Sequence, residues 1–223
     1  MRTLKNRLYT VQTLVPEGSR VADIGTDHGH LPISLIKTGV SKFVIASDIK
    51  EKPLSVARAN IEKCKIKNIE TRLGDGLSSI KQGEVDCIVI AGMGGEVIEG
   101  ILGNCSWIKD DRYTLVLQPM TAADSLRRYL SSNGFETLEE KAVEDTGRLY
   151  CVIKAVYCGR SLPQNETFYR IGKLDPKNPT DLLYIKKQLN IATKCKIDLE
   201  KSGRDFSEYA NLCREINIIL GEE

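Results

Sequence analysis

Carboxylates and glycines gather wherever a hydrophobic run in this chain gives way to small residues, and the first such place is Val21-Ala22-Asp23-Ile24-Gly25-Thr26-Asp27-His28-Gly29-His30-Leu31-Pro32. A strand running into a small-residue turn and then a helix opens a crevice at the carboxyl edge of a sheet, where nucleotide-like ligands bind. The dinucleotide pattern G-x-G-x-x-G fails here, because Asp27 stands where the second glycine belongs. A pyrophosphate would meet a carboxylate at that point, whereas a ligand with a cationic part would gain from it. S-adenosyl-L-methionine carries a sulfonium and an ammonium group. Asp23 and Asp27 could accept these directly or through water, with Gly25 and Thr26 shaping the turn between them.

Three further junctions repeat the pattern. Asp48-Ile49 lies about 20 residues beyond the glycine turn, where an acidic residue is suited to accept both hydroxyls of a ribose. Gly74-Asp75-Gly76 lets the backbone come close and offers Asp75 as an acceptor for an adenine amino group. Ala91-Gly92-Met93 makes a floor of little bulk. An aspartate in a tight turn often bonds only its own backbone, so each signal is weak alone. Recurrence at successive strand ends favours a shared ligand. After the next hydrophobic run, Gln118-Pro119-Met120 could present an amide to a base edge and an apolar surface to its ring, or form a plain turn.

Positioning these groups requires an α/β fold. Short β-branched runs at 20–24, 43–48, 70–73, 87–91 and 114–118 alternate with helical stretches such as 53–63 and 122–132. Two last runs, 135–142 and 150–157, flank Asp145-Thr146-Gly147-Arg148 and predict an antiparallel hairpin. The expected architecture is Rossmann-like: a mostly parallel seven-stranded sheet with an antiparallel last strand, as in the class I methyltransferase variant of the doubly wound fold. Residues 159–179, rich in Pro, Gly and Asn, read as a linker. Beyond it, Leu182, Ile185, Leu189, Ala192, Lys196 and Leu199, with Lys196 the one polar interruption, then Phe206, Tyr209, Cys213, Ile216 and Leu220, keep alternating 3 and 4 spacing around a Ser202-Gly203 break. That pattern predicts a helical hairpin, giving a division into 1–158 and 159–223.

The 223 residues are 41% hydrophobic and 28% charged, ordinary globular values that set disorder aside. No apolar run approaches the roughly 20 residues of a membrane span, and the basic start leads into no long apolar segment. A cytoplasmic protein is expected. The seven cysteines are scattered and never spaced C-x-x-C, which points to reduced thiols. The only histidines, His28 and His30, have no ligand partner nearby, so no metal is expected. Net charge is only +2, but residues 170–204 hold nine Lys/Arg against four Asp/Glu, and Arg2, Lys5, Arg7 and Arg20 face Glu17 alone in the first 20. Both ends would suit a polyanion.

The strings Ala-Asp-Ile-Gly-Thr-Asp-His at 22–28, Arg-Leu-Gly-Asp-Gly-Leu at 72–77, Ile-Ala-Gly-Met-Gly-Gly at 90–95 and Leu-Gln-Pro-Met at 117–120 resemble the bacterial tRNA (adenine-22-N1)-methyltransferase family. The similarity runs from about Leu4 to the C-terminus. One departure is visible: the family commonly has Ala-Tyr where this chain has Gly29-His30, beside Asp27 and His28. The resemblance implies methyl transfer from S-adenosyl-L-methionine to N1 of adenine 22 in tRNA, with a C-terminal hairpin that helps grip the RNA; a monomer is expected. An N1 lone pair is available, so the reaction needs orientation and charge stabilisation more than a strong base. Asp27 is the first candidate for that role and His28 the second, as hydrogen-bond partner or proton acceptor. Arg7 and the heptad-spaced Lys187 and Lys194 are candidates for phosphate contacts, although a lysine stripe is also what a solvated helix face looks like. Trp107 and Tyr113 could stack on a base or pack in the core. Two other functions stay open: an enzyme of this fold acting on a small molecule or protein, and a tRNA-binding protein without turnover.

Overall fold

The computed structural model describes residue 4 and residues 6–222; Arg2 and Lys5, part of the basic N-terminal cluster, lie outside them. Seven strands, β1 (Ser19–Ile24), β2 (Ser41–Asp48), β3 (Ile69–Leu73), β4 (Cys87–Met93), β5 (Thr114–Pro119), β6 (Phe135–Asp145) and β7 (Arg148–Tyr157), form one sheet in the order β3-β2-β1-β4-β5-β7-β6. All neighbouring pairs through β5 are parallel, and β7 runs antiparallel to both β5 and β6. Reversal of strand order beside β1 and β4 places the crevice at their carboxyl ends.

Helices cover both faces: α1 (Asn6–Leu14), α2 (His30–Lys37), α3 (Glu51–Lys63), α4 (Gly95–Gly103), α5 (Ala123–Ser132), α6 (Glu166–Ile171), α7 (Pro179–Lys201) and α8 (Ser207–Leu220). The period-2 alternation of strand side chains sorts the core into two layers. Val21, Val44, Val89, Val116 and Val152 point to one layer, which Val11 and Leu14 of α1 and Leu31 and Leu35 of α2 complete. Ala22, Ile45, Ile88, Ile90, Leu115 and Leu117 point to the other, which is shared with Ile98 of α4 and Leu126 of α5. Strands buried on both sides explain why they read as continuous β-branched runs.

The stretch expected to be a linker is packed. Asn165 caps α6 by accepting the Phe168 N–H at 2.9 Å, and Thr167, Tyr169 and Ile171 are buried. Pro179, the expected end of the linker, is the first residue of α7, and Asn178 Oδ1 accepts from Thr180 N and Asp181 N. Asp181 then ties the helix to the sheet, accepting from Ala142 N at 2.8 Å and Asp175 N at 3.1 Å. Ile171, Tyr184, Ile185, Ala192 and Ile216 belong to the same core as the sheet. The α7–α8 hairpin therefore does not hang from a flexible tether.

Between β6 and β7 the turn residues Thr146 and Gly147 both have positive φ, 51° and 73°, as a two-residue hairpin turn requires. That tight turn holds Asp145 at the edge of the crevice, facing Arg7 of α1 with Arg7 Nε to Asp145 Oδ2 at 3.6 Å. Helix α1, a short element with one basic residue, Arg7, and polar residues around an apolar patch, was not expected from the sequence.

Candidate active site

At the end of β1 the backbone turns toward β2. Gly25 N and Thr26 N both donate to Ser47 O, at 2.8 and 2.9 Å, and Asp27 N donates to Asp48 Oδ2 at 3.2 Å. Asp48 Oδ1 accepts the Lys50 N–H at 2.9 Å. Two backbone donors thus fix the Asp48 carboxylate while each oxygen keeps a lone pair for a further hydroxyl. Asp27 adopts φ 52°, uncommon for a non-glycine residue, and its side chain is 67% exposed. Its Oδ2 lies 2.7 Å from His28 Nδ1, and the His28 and His30 rings stack at 5.9 Å with 14° between their planes. Asn60 Nδ2 holds the turn from beneath through His28 O at 2.9 Å.

Asp23 is buried behind this loop. Burial above all lifts its carboxyl from 3.8 to about 6, and Asp48 pushes the same way. The Thr26 hydroxyl lies close enough to offset part of that rise, yet it makes no hydrogen bond of good geometry among the described residues and is itself buried. A buried carboxylate and an orphaned hydroxyl behind an open rim fit a ligand bearing a cation. Gly74 N donates to Asp48 O, drawing the third strand end to the second. Asp75 and Gly76 line a cleft of about 530 Å³ with Val97, Ile101 and Trp107, and Ile49 stands 58% exposed on the rim. Apolar walls beside an acidic acceptor suit an adenine ring. Trp107 packs edge-on against Tyr113 at 5.0 Å, and Tyr113 is core, its hydroxyl accepting from Gly83 N at 3.0 Å.

The floor behind Ala91, Gly92 and Met93 shows why glycine recurs after β4. A Cβ on Gly95 would lie 2.3 Å from Ala122 O, a backbone atom, so only glycine lets α4 start against the β5–α5 turn. Met120 N donates to Met93 O at 2.7 Å and Gly95 N to Thr121 O at 2.9 Å, locking the same turn. Gly92, at φ 84°, leaves room for a guanidinium: a Cβ there would be 3.2 Å from Arg7 Nη1. Arg7 donates to Gln118 Oε1, which also accepts the Gly92 N–H at 3.1 Å.

The glutamine does not have the role read from the sequence. Gln118 is 0% exposed, and its amide nitrogen donates to Pro119 O at 2.8 Å. An amide with its oxygen and nitrogen both engaged inside the protein cannot also read a base edge; it orients Arg7 and the β4 turn. Met120 remains partly exposed beside it. The expected residues from Asp23 to Met120, together with Arg7, converge on one rim. Lys187 lies at its margin, Nζ 3.3 Å from Leu149 O, and Lys194 is exposed further along α7. Sequence reasoning missed Asp145 and Ala122; the Thr146-Gly147 and Gly94-Gly95 pairs were the available signals. Among the described residues no group of three or more His, Cys, Asp or Glu could hold a metal ion, and no helix is long and apolar enough to cross a membrane.

Comparison with known proteins agrees with this geometry. A family model for the methyltransferase domain matches residues 4–153. The tRNA (adenine(22)-N(1))-methyltransferase of Bacillus subtilis (strain 168) is 37% identical over 153 residues, 68% of this chain and 64% of that enzyme, so the matched part spans just under two thirds of the relative. The solved structure of the B. subtilis m1A22 tRNA methyltransferase TrmK superposes with a TM-score of 0.76 at 28% identity, covering 100% of this chain and 97% of that one. M. capricolum TrmK, solved with S-adenosyl-homocysteine, gives a TM-score of 0.76 at 27% identity over 97% of this chain and 96% of that one. The chain belongs to the methyltransferase domain family and, within it, resembles the bacterial m1A22 tRNA methyltransferases over its whole length.

Proposed function

We propose that the protein methylates N1 of adenine 22 in tRNA, taking the methyl group from S-adenosyl-L-methionine and releasing S-adenosylhomocysteine. The observation that carries this reading is the acidic rim, where Asp48 is held by two backbone N–H groups, Asp23 lies buried behind it, and the Thr26 hydroxyl has no hydrogen-bond partner among the described residues. S-adenosylmethionine supplies an electrophilic methyl group on a sulfonium. Asp48 takes the ribose hydroxyls, Asp75 the adenine amino group, and Ile49 covers the ring face; Gly25, Gly74, Gly76 and Ala91 keep the crevice open. Asp23 and Thr26 face the ammonium end.

On the substrate side, an N1 lone pair needs no base before it reacts, so the protein must orient the ring and stabilise the positive charge that develops on it. The exposed carboxylate of Asp27, supported by His28, does this. Met120 offers an apolar surface to the target ring, with the buried Pro119 behind it, and Arg7 presents its guanidinium at the seam between β4 and β5. Lys187 and Lys194 face the RNA backbone from the hairpin, making residues 159–223 the tRNA-gripping part. Seven unpaired cysteines accord with a cytoplasmic enzyme, and we read it as a monomer. Incubation with S-adenosylmethionine and unmodified tRNA tests the proposal. A primer-extension stop is expected at adenine 22 and absent in an A22G transcript; methyl transfer to another acceptor without that stop overturns it.

A further inference from the structure

A second concavity, of about 170 Å³, lies where the sheet meets the hairpin. Met120 and Thr121 line it from the β5–α5 turn, Arg170 from α6, and Tyr184, Lys187 and Gln188 from α7. Its volume is below that of most small-molecule sites and fits one phosphate with part of its sugar. Two of its donors, the Lys187 ammonium and the Gln188 amide, face it without a charged partner. Among the described residues Lys187 makes no salt bridge and reaches only the Leu149 carbonyl, and the Gln188 side chain makes no hydrogen bond. Arg170 pairs with Asp124 through Nη1 at 2.8 Å, with about a third of each side chain exposed, so the one lining carboxylate is already matched.

We infer that this junction is a subsite for a backbone phosphate of the RNA strand beside the target adenine. Its inner wall, Met120, is one residue from Pro119 and bonded through its N–H to Met93 of the candidate active site. A phosphate seated against Lys187, Gln188 and Thr121 therefore lies next to the base being methylated. Asp181 and the Arg127–Glu140 pair fix α7 and α6 to the sheet, so the distance between subsite and rim is set by the fold. The charge-assisted bonds to this phosphate select which nucleotide reaches the methyl donor. The inference rests on the tRNA reading above.

The test pairs Lys187→Ala and Gln188→Ala with tRNA transcripts carrying a neutral methylphosphonate at single linkages around adenine 22. Lys187 is exposed, so the variant keeps its thermal midpoint. Lys187→Ala is expected to raise the KM for tRNA about tenfold, with most of the effect in KM, and to lower the salt slope of tRNA binding by about one ion. One neutral linkage flanking adenine 22 should cost wild type a similar factor and cost Lys187→Ala nothing more. Lys194→Ala serves as comparison and should remain sensitive to that linkage. Wild-type binding and salt slope in Lys187→Ala, or full sensitivity to every linkage, overturn the subsite while leaving an intact adenine-22 mark untouched. Absence of the mark, with tRNA binding still dependent on Lys187, sinks the functional reading and leaves the subsite standing.

Discussion

Arg7 and Gln118 are 111 residues apart in sequence, yet the guanidinium of one donates to the side-chain oxygen of the other at the heart of the rim. The same oxygen accepts the Gly92 N–H, so one buried amide sets both the first helix and the fourth strand end. Arg7→Ala is expected to leave the fold intact and lower kcat/KM about tenfold or more, with Arg7→Lys recovering little because it lacks the planar fork. Gln118→Leu orphans the Gly92 N–H and should cost about 1–3 kcal/mol of stability in addition. Denaturant unfolding beside methyl-transfer rates separates the two effects; wild-type turnover in Arg7→Ala would reduce that contact to packing.

Asp48 and Asp27 share a hydrogen bond but face different ligands. Asp48→Ala should weaken cofactor binding, measured by calorimetry, and loosen the Asp27 turn as well. Asp27→Asn preserves the shape of a residue at positive φ better than alanine would, since asparagine tolerates that conformation. Its turnover should fall more than its cofactor affinity. Equal loss of cofactor binding in both variants would make Asp27 a binding residue only.

Most of this rim was legible because its signals are local. A β-branched run ending in Asp or Gly marks a strand end whatever else the chain does, and Asp23, Asp48, Asp75 and Gly92 were found that way. What escaped depends on partners far away in sequence. Gln118 looked like a base reader because nothing adjacent shows that Arg7 and Gly92 occupy its oxygen. Helix α6 has six residues among prolines and glycines, too few for any periodicity, and is held by tertiary burial of Tyr169 and Ile171. The αL conformation of Ala122 has no local cause either; the close approach to Gly95 accompanies it.

Arg127 and Glu140 form a fully buried ion pair, Nη2 to Oε2 at 2.8 Å, and Arg127 Nη1 donates onward to Tyr169 O at 2.9 Å. Removing one partner strands a buried charge. Arg127→Ala is expected to cost about 3–5 kcal/mol and to release α6, whereas Arg127→Met with Glu140→Leu should recover most of that loss. Gly172→Ala should be nearly as damaging, because a Cβ there would fall 2.2 Å from Glu140 Oε2 at φ 74°. Chemical denaturation of the three variants checks the order.

Asp23 links stability and cofactor affinity to pH. Its carboxyl is raised from 3.8 to about 6 in the free protein, so the ionised form is the disfavoured one. Native Asp23 binds its proton more tightly than the unfolded chain does. Stability from this group is therefore full below about pH 4, falls as pH rises toward 6, and stays lost above; a two-unit shift corresponds to roughly 3 kcal/mol. A cationic ligand reverses the preference, since it favours the carboxylate. Cofactor affinity should accordingly rise between pH 5 and 7, and the gap in thermal midpoint between free and cofactor-bound protein should widen over the same interval. Asp23→Asn should be more stable than wild type without ligand at pH 8, bind S-adenosylmethionine more weakly there, and show no step near pH 6. An undiminished step in that variant would move the titration to another group and leave Asp23 as a buried acid with no part in holding the methyl donor.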